Sequence, residues 1–426
     1  LVVGTLLLVV TRLLGRAASF VAGQLDRVLP RRVSFVLGVA AVGYLTVTLV
    51  SGFLARRALD AADATFSQLD ALVDEGMEAP VDTWASGSPD SLIPWDSIGR
   101  QGKGFVVSGP TREELGEFLG RAAEQPLRVF VGLNSSETAR GRAELALAEL
   151  KRVGAFERSV LVVATPTGTG WLDTGAVDTL EYIHGGDTAI VSTQYSYLPS
   201  WITILVKPER PREAARLLFD EIYAHWRTLP RESRPKLYLH GLSLGSLGSE
   251  TSADLFTLFE DPIQGALWSG PPFPSRGWQQ RTRERTPGSA AWLPTCRDGS
   301  LLRFTSQRNT LDDPGRRWGP IRFVYLQYAS DPMVFFREDM AFRAPGWLVG
   351  QRGPDVSPYL RWVPIVTFLQ VAFDIPMATT VPTGYGHNYA PAHYIDGWVA
   401  VTDPEGWTAA DTARLKARFA DVHPRP

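Results

Sequence analysis

The sequence predicts an α/β fold in which a mostly parallel β-sheet carries flanking helices. Short apolar runs alternate with helical stretches, which is the pattern of strands joined by crossover helices. Several of these runs lack alternating polar residues, as expected for strands that are buried on both faces. A Gly-x-Ser-x-Gly pentapeptide, residues 241–245, lies where a strand-like run changes to a helix-like one. These three observations predict a layered domain with a site at the carboxyl ends of its strands.

Six runs are predicted as strands, because most of them are rich in β-branched or aromatic residues. They cover residues 129–133, 160–166, 188–193, 237–241, 265–270 and 321–328. Helices are predicted between them, for example over residues 139–153 and 211–227. Residues 362–373 form another apolar stretch, which is too short to cross a bilayer. We predict that it is a core helix or a helix that lines an acyl pocket.

The composition excludes several kinds of site. The chain has 43 basic and 45 acidic side chains among 426 residues, so no basic field argues for a nucleic-acid partner. Its single cysteine, Cys296, excludes an intrachain disulfide and a Cys-x-x-Cys metal site. His387 and His393 have no clustered third ligand, and no His-Glu-x-x-His pattern occurs. We therefore predict no metal and no cofactor.

The N-terminal part is predicted to lie in a membrane. Residues 34–54 form an uncharged run long enough to cross a bilayer, and residues 1–10 resemble the end of an earlier span. Five arginines lie between these stretches and two follow the second, so the rest of the chain is expected outside the cytoplasm. The predicted organisation is a membrane region at 1–57, a linker at 58–92 and a catalytic domain at 93–426.

Ser243 is the candidate nucleophile. A serine hydroxyl needs a base, a group that orients the base, and donors for the oxyanion. Glycines two residues before and after Ser243 permit the sharp turn that holds such a serine clear of a sheet. The alternative is a structural turn in a glycine-rich chain. Leu244, which follows the nucleophile, and Thr167, which lies in a glycine-rich loop, are the predicted oxyanion-hole residues.

The acid and then the base are expected after the serine. Asp331 follows the last predicted strand, at the sheet edge where such folds build their sites, although a turn residue before a proline is an alternative explanation. Three other aspartates lack that placement: Asp312, Asp313 and Asp374. His387 is favoured as the base over His393, because it lies in a glycine-flanked turn whereas His393 lies in a predicted helix.

The motifs taken together resemble a known family. In chain order they are the apolar segment, WDSIGRQGKGFV (95–106), ATPTGTGW (164–171), GLSLGS (241–246), ASDP (329–332) and GYGHNY (384–389). The chain is similar to bacterial membrane-anchored α/β-hydrolases, which pair a multi-span N-terminal region with a catalytic domain. This resemblance implies Ser243 as nucleophile, Asp331 as acid and His387 as base. The chain departs from the family in having at most two spans.

Residues 271–320 are predicted as a lid insertion. They contain nine arginines, four acidic residues and three tryptophans. Such a loop suits anionic lipid headgroups, but its arginines are equally suited to pairing with local acids. The predicted function is a membrane-anchored serine hydrolase that cleaves an ester, in particular a lipid of the cell envelope. The alternatives are an acyltransferase with the same triad and a non-catalytic membrane scaffold.

Overall fold

The chain divides into two compact units, Leu1–Gln68 and Leu69–Pro426. The computed structural model describes residues 2–25, 33–34, 37–38, 41–42, 55–72, 77–252, 261–312 and 317–420. The N-terminal helices are α1 (Val2–Leu25) and α2 (Ala55–Asp70). No helix in these ranges has both the length and the apolar character needed to span a bilayer. Most of the span predicted at residues 34–54 lies outside the described residues.

The second unit is built on a sheet with seven strands in the described part of the chain. The strands are β1 (Leu127–Val131), β2 (Val160–Thr165), β3 (Thr188–Thr193), β4 (Lys236–Leu242), β5 (Gly265–Ser269), β6 (Leu302–Thr305) and β7 (Arg322–Leu326). Their order is β1-β3-β2-β4-β5-β7-β6, and every neighbouring pair is parallel. The predicted mostly parallel sheet is therefore confirmed, with a strand at each of the six predicted runs.

Helices flank the sheet, and those from α5 to α10 lie in the connections between strands. In chain order they are α3 (Arg100–Val107), α4 (Arg112–Leu119), α5 (Ala139–Arg152), α6 (Thr174–Ile183), α7 (Ser200–Val206), α8 (Glu209–Trp226), α9 (Leu244–Ser249), α10 (Arg276–Arg283), α11 (Pro332–Phe335), α12 (Gly346–Val349), α13 (Val366–Asp374), α14 (Pro391–Thr402) and α15 (Ala409–Arg418). Helices α5 and α9 both pack against α8, while α14 packs against α6. Single 3-10 turns cover Trp95–Ser97, Leu133–Ser135, Ala155–Glu157, Glu338–Ala341 and Ile375–Met377.

The strands form because they are apolar on both faces. All residues of β1, β2, β3 and β5 are buried, and β4 exposes only its first residue. In the register of the central strands, Thr165 lies opposite Gly241, and Leu242 lies opposite Ser269. The carboxyl ends of β2, β4 and β5 consequently meet at one edge of the sheet, directly beside Ser243.

Three stretches differ from their predicted structure. The insertion at 271–320 contributes β6, which pairs with β7 at the edge of the sheet and so belongs to the core. Residues 362–373 do not form a core helix, because α13 buries Thr367 and Val371 but exposes Val366, Leu369 and Phe373. The predicted linker at 58–92 contains most of α2, and its end is bonded to Glu149 of α5 through Ser91 and Leu92.

Candidate active site

Ser243 occupies a strained turn between β4 and α9. Its backbone has φ 57° and ψ −125°, a conformation that residues other than glycine seldom adopt. Its N–H donates to the carbonyl oxygen of Ser269 at 2.9 Å, and its own carbonyl oxygen accepts from the N–H of Leu247 at 3.1 Å. The pentapeptide therefore forms the sharp strand-to-helix turn that presents a serine at the carboxyl edge of a sheet.

The positions of Gly241 and Gly245, on either side of Ser243, have no room for a side chain. A Cβ atom on Gly241 would lie 2.3 Å from the carbonyl carbon of Gly245. A Cβ atom on Gly245 would lie 2.1 Å from the carbonyl oxygen of Thr165. Contacts this short with backbone atoms cannot be relieved by moving a side chain, so α9 approaches β4 and β2 this closely only with glycine at both positions.

His387 and Asp331 form a buried pair beside the serine. His387 Nδ1 lies 2.6 Å from Asp331 Oδ2, and Asp331 Oδ1 accepts from the N–H of Met333 at 2.9 Å. Neither His387 Nε2 nor Ser243 Oγ has a hydrogen-bond partner among the described residues, although both residues line the same cavity. The structure thus brings all three predicted residues together and leaves unbonded the two atoms between which a proton would pass.

Tyr389 is a site residue that sequence reasoning missed. Its hydroxyl donates to Asp331 Oδ2 at 2.7 Å, on the same oxygen that meets His387. Its ring stacks on Tyr328 at a centroid distance of 4.4 Å and lines the cavity. It lies two residues after His387, but no feature of the sequence alone marks a tyrosine there as a partner of Asp331.

Backbone contacts fix the loop that carries His387. The N–H of His387 donates to the carbonyl oxygen of Ala378 at 2.9 Å. The N–H of Gly386 donates to Ser330 Oγ at 2.9 Å, and that hydroxyl donates to Asp355 at 2.6 Å. The imidazole is therefore held in place from both sides of its own peptide unit, next to the residue that precedes Asp331.

The cavity at Ser243 has a volume of about 320 Å³. Its lining is mixed, with the polar side chains Gln101, Thr169, Asp173, Ser200 and Asn388 beside the apolar side chains Trp171, Trp201, Met333, Ile375 and Pro376. None of the described residues between 271 and 320 lines it, so the lid at 271–320 stays a prediction. Two of the insertion's arginines, Arg285 and Arg303, bond to backbone carbonyls of the insertion itself.

The two predicted oxyanion-hole residues, Leu244 and Thr167, differ in which hydrogen-bond donor is available. Leu244 is the first residue of α9, where backbone N–H groups have no acceptor within the helix. Thr167 lines the cavity, but its N–H already donates to the carbonyl oxygen of Trp171 at 2.9 Å. The prediction of Thr167 as a backbone donor is therefore wrong, and its side-chain hydroxyl is the donor that it has left.

Other histidines and aspartates lie away from the cavity. His393 Nδ1 lies 2.5 Å from the Tyr328 hydroxyl, and His240 Nδ1 lies 2.8 Å from the Leu267 carbonyl oxygen. Burial lowers the pKa of each of these histidines to about 4, so both are neutral at neutral pH. Asp312 and Asp374 do not line the cavity, and Asp313 lies outside the described residues. Within the described ranges, no three potential metal-binding side chains cluster.

Asp173 adds a second carboxyl group to the cavity. It caps the N-terminus of α6 by accepting from the N–H of Gly175 at 2.9 Å, and its other oxygen accepts from the Tyr394 hydroxyl at 2.9 Å. Burial raises the pKa of Asp173 to about 7. An acid that changes charge near neutral pH therefore lies in the wall of the cavity that holds Ser243.

Comparison with known protein families decides the assignment. The model of an alpha/beta-hydrolase family matches residues 127–415, and the model of the N-terminus of an alpha/beta-hydrolase family matches residues 1–110. The chain belongs to the alpha/beta-hydrolase family. The resemblance inferred from the motifs is confirmed at that level, and Ser243, Asp331 and His387 of this hydrolase all lie in the first matched range.

Solved structures are similar to part of this hydrolase at low sequence identity. One acetylxylan esterase structure is 10% identical and covers 42% of this chain and 85% of its own, with a TM-score of 0.23. The thioesterase RedJ of the prodiginine pathway in Streptomyces coelicolor is 15% identical and covers 40% of this chain and 82% of its own, with a TM-score of 0.22. No curated protein matches the hydrolase. Similarity this low gives no information on its substrate.

Proposed function

We propose that this chain is a serine hydrolase that cleaves carboxylic esters through Ser243, His387 and Asp331. The observation that carries the proposal is the 2.6 Å contact between His387 Nδ1 and Asp331 Oδ2. It leaves Nε2 of the same ring as a proton acceptor in the cavity of a serine on a strained turn. A base oriented by a buried carboxylate beside a serine of this kind is the arrangement that activates a hydroxyl.

In the first half of the reaction, Ser243 Oγ attacks the ester carbonyl carbon while its proton passes to His387 Nε2. The negative charge on the carbonyl oxygen is stabilised by the N–H of Leu244 and by the hydroxyl of Thr167. The C–O bond then breaks, and the proton on His387 goes to the leaving alcohol, which leaves an acyl group on Ser243. In the second half, water attacks the acyl carbon while it gives a proton to His387 Nε2. The bond between the acyl carbon and Ser243 Oγ then breaks, the proton on His387 returns to Oγ, and the carboxylic acid is released.

The proposed substrate is a lipid ester of the cell envelope, and the proposed location is the membrane, with the catalytic domain outside the cytoplasm. Apolar side chains in the lining of the cavity, among them Trp201 and Ile375, suit a substrate with an acyl chain. The uncharged run at residues 34–54 and the excess of arginines before it support anchoring and orientation.

Covalent labelling with a fluorophosphonate tests the nucleophile. We expect the parent chain to be labelled once, on Ser243, and the Ser243→Ala variant to remain unlabelled. Turnover of a soluble ester by that variant should fall by about a thousandfold or more. Ser246→Ala is the matched control, because Ser246 is a buried serine of α9, three residues after Ser243, and its loss should leave labelling intact. Labelling that persists in Ser243→Ala would refute the proposal.

Two histidine variants test the base. We expect His387→Ala to abolish labelling without loss of secondary structure by circular dichroism, because the imidazole beside Asp331 is removed. His393→Ala should keep most of the activity, since His393 is bonded to Tyr328 outside the cavity. The opposite pattern would require a triad built on His393.

A further inference from the structure

The loops that carry the acid and the base are joined by one network of hydrogen bonds. Asp331 follows Ser330 in the chain, and His387 follows Gly386. Ser330 Oγ accepts from the N–H of Gly386 at 2.9 Å and donates to Asp355 Oδ2 at 2.6 Å. The N–H of Ser330 donates to the same oxygen of Asp355 at 3.0 Å. The chain neighbours of both members of the buried pair are therefore fixed to one carboxylate.

Gln307 connects this carboxylate to a second point of the loop that carries the base. Its Nε2 donates to Asp355 Oδ2 at 2.8 Å and to the carbonyl oxygen of Gly384 at 3.1 Å. The bonds thus form a closed ring, which we call the clamp, through Gly384, Gln307, Asp355, Ser330 and Gly386. Because the clamp meets the base loop at two positions, it limits both the place and the rotation of that loop.

Strand β6 brings the insertion at 271–320 to the clamp. In the register of the sheet, Thr305 of β6 lies opposite Leu326 of β7. Gln307 follows the first of these strands and Ser330 follows the second, and the carboxyl ends of parallel strands meet at one edge of a sheet. The insertion therefore reaches the loops of the triad through the side chain of Gln307.

The segment that carries Asp355 fits closely against the residues that follow β7. A Cβ atom on Gly353 would lie 2.0 Å from the Cβ of Ala329, a contact that no side-chain rotation relieves. Trp292 of the insertion donates from Nε1 to the carbonyl oxygen of Gln351 at 3.0 Å. The backbone on the N-terminal side of Asp355 is thus held in place as well as its carboxylate.

A single oxygen of Asp355 makes all the bonds of that side chain within the clamp. Oδ2 accepts from Ser330 twice and from Gln307 once, while Oδ1 has no hydrogen-bond partner among the described residues. Hydrogen bonds to a charged acceptor are stronger than those between neutral groups. Loss of this oxygen would therefore release the acid loop and the base loop together.

We propose that Asp355 and Gln307 are positioning residues, which hold the loops of Asp331 and His387 at the separation that keeps the 2.6 Å contact between them. Neither Asp355 nor Gln307 lines the cavity that holds Ser243, so both act through the pair and not on the substrate. This inference rests on the proposed function, because it assigns the clamp to proton transfer at His387. An error near 1 Å in a reacting group costs about a hundredfold in rate, so release of these loops lowers kcat more than it changes KM.

The first test measures turnover of 4-nitrophenyl butyrate by variants of the full chain. We expect Asp355→Ala to lower kcat by about tenfold or more, with KM within about twofold of the parent. Asp355→Asn should recover most of that loss, because an amide oxygen can accept the same three bonds. Gln307→Met keeps the length of the side chain, removes the donor to both partners and should also lower kcat; it carries the test by itself if Asp355→Ala does not fold. An unchanged kcat in the clamp variants would overturn the proposal.

Asp187→Ala is the matched control. Asp187 accepts from both the N–H and the hydroxyl of Ser159, as Asp355 does from Ser330, but it lies at the amino ends of β2 and β3. This variant should be less stable to urea than the parent and should keep the kcat of the parent. An equal fall of kcat in Asp187→Ala and Asp355→Ala would show that lost stability alone explains the effect, which would also overturn the proposal.

The second test observes the buried pair without any use of catalysis. The proton on His387 Nδ1 should give a far-downfield signal in the ¹H NMR spectrum, because its bond to Asp331 is short, and loss of the signal in His387→Ala assigns it. We expect Asp355→Ala and Gln307→Met to move or broaden this signal and Asp187→Ala to leave it in place. A signal that is the same in the parent and in both clamp variants would overturn the proposal. Displacement of the signal in a chain that turns over no ester would leave the positioning of the pair standing and refute the proposed function alone.

Discussion

Gly270 sets how closely the end of β5 approaches the base. A Cβ atom there would lie 2.6 Å from His387 Cε1, and the glycine has φ +50°, so both space and backbone require it. We expect Gly270→Ala to displace the imidazole and lower kcat by about a hundredfold, the effect of an error near 1 Å in a reacting group. Gly288→Ala is the control, since its φ is +87° but no atom lies within 4 Å of the added carbon. If both variants lost only stability, the steric argument would fail.

Tyr389 positions the carboxylate of Asp331, which in turn orients the imidazole of His387. Tyr389→Phe removes the hydroxyl that donates to Asp331 Oδ2 at 2.7 Å and leaves the stacked ring in place. We expect kcat to fall by about tenfold with little change in KM or thermal unfolding, because a hydrogen bond to a charged group is lost. Tyr385→Phe removes an exposed hydroxyl from the same loop and should have no effect. An unchanged kcat in Tyr389→Phe would mean that Asp331 is positioned without it.

At the residue scale, the sequence marks groups whose chemistry depends on local spacing. Ser243 lies in a pentapeptide, Asp331 follows a strand and His387 lies between a glycine and an asparagine. Tyr389 and Asp173 carry no such mark, because a tyrosine and a helix cap are common residues whose roles depend on contacts made through space. The donor choice at Thr167 failed for the same reason, since a loop sequence does not reveal which N–H is already engaged.

At the scale of elements, a buried ion cluster joins β1 to α6. Arg128 of β1 meets Glu181 through Nε at 2.8 Å and Nη2 at 2.6 Å, and Nη2 also meets Asp178 at 2.6 Å. Its Nη1 donates to the carbonyl oxygen of Phe105 at 2.8 Å. Removing one partner from such a cluster leaves buried carboxylates uncompensated, which is more harmful than deleting a surface pair.

We therefore expect Arg128→Met to lower the free energy of unfolding by about 3–5 kcal/mol. Arg140→Met is the comparison, because Arg140 makes an exposed pair with Glu221 that should contribute about 1 kcal/mol or less. Urea unfolding of both variants gives the two values. Similar small losses would show that the Arg128 cluster is compensated by the surrounding backbone donors.

Helices and strands could be predicted where the residue pattern in the sequence is long and apolar. Helices α5 and α8 follow from the helical stretches between strands, and six strands follow from short runs rich in β-branched or aromatic residues. Strand β6 has four residues, includes Arg303 and lies in a polar insertion, so its pairing with β7 is set by tertiary contacts. The apolar run at residues 362–373 is predicted as a core helix or a helix that lines an acyl pocket, because composition alone does not show whether a face will be covered.

At the scale of the whole molecule, Asp173 makes stability depend on pH. Burial raises its folded-state pKa to about 7, above the ordinary value of 3.8, so the folded state binds its proton more tightly. Its contribution is then fully present below about pH 4 and is lost as the pH rises through about 7. Asp173→Asn should therefore lose less stability than the parent between pH 5 and pH 8, as measured by urea unfolding. Asp96→Asn, at an exposed position, should follow the parent. Parallel curves for all three proteins would exclude Asp173 as the source.

The division of the chain into Leu1–Gln68 and Leu69–Pro426 has a weaker sequence signal than the sheet. The polar composition of residues 58–92 predicted a linker, yet Ser91 and Leu92 bond to Glu149 of α5 and so join the larger unit. A polar segment that is held by one buried carboxylate has the same composition as a free linker. The difference lies in its partner, which is more than fifty residues away along the chain.

The hydrogen bond from the N–H of His387 to the carbonyl oxygen of Ala378 links the catalytic base to the turn that walls the cavity. Ala378 follows the 3-10 turn whose Ile375 and Pro376 wall the cavity, and it is buried against Leu244 and Met333. A displacement of this turn would move the peptide of His387 with it. The imidazole of His387 is at the same time bonded to Asp331 through Nδ1. A shift of this turn would therefore also move His387 Nε2 relative to Ser243 Oγ, so the width of the cavity and the geometry of proton transfer are coupled through one peptide.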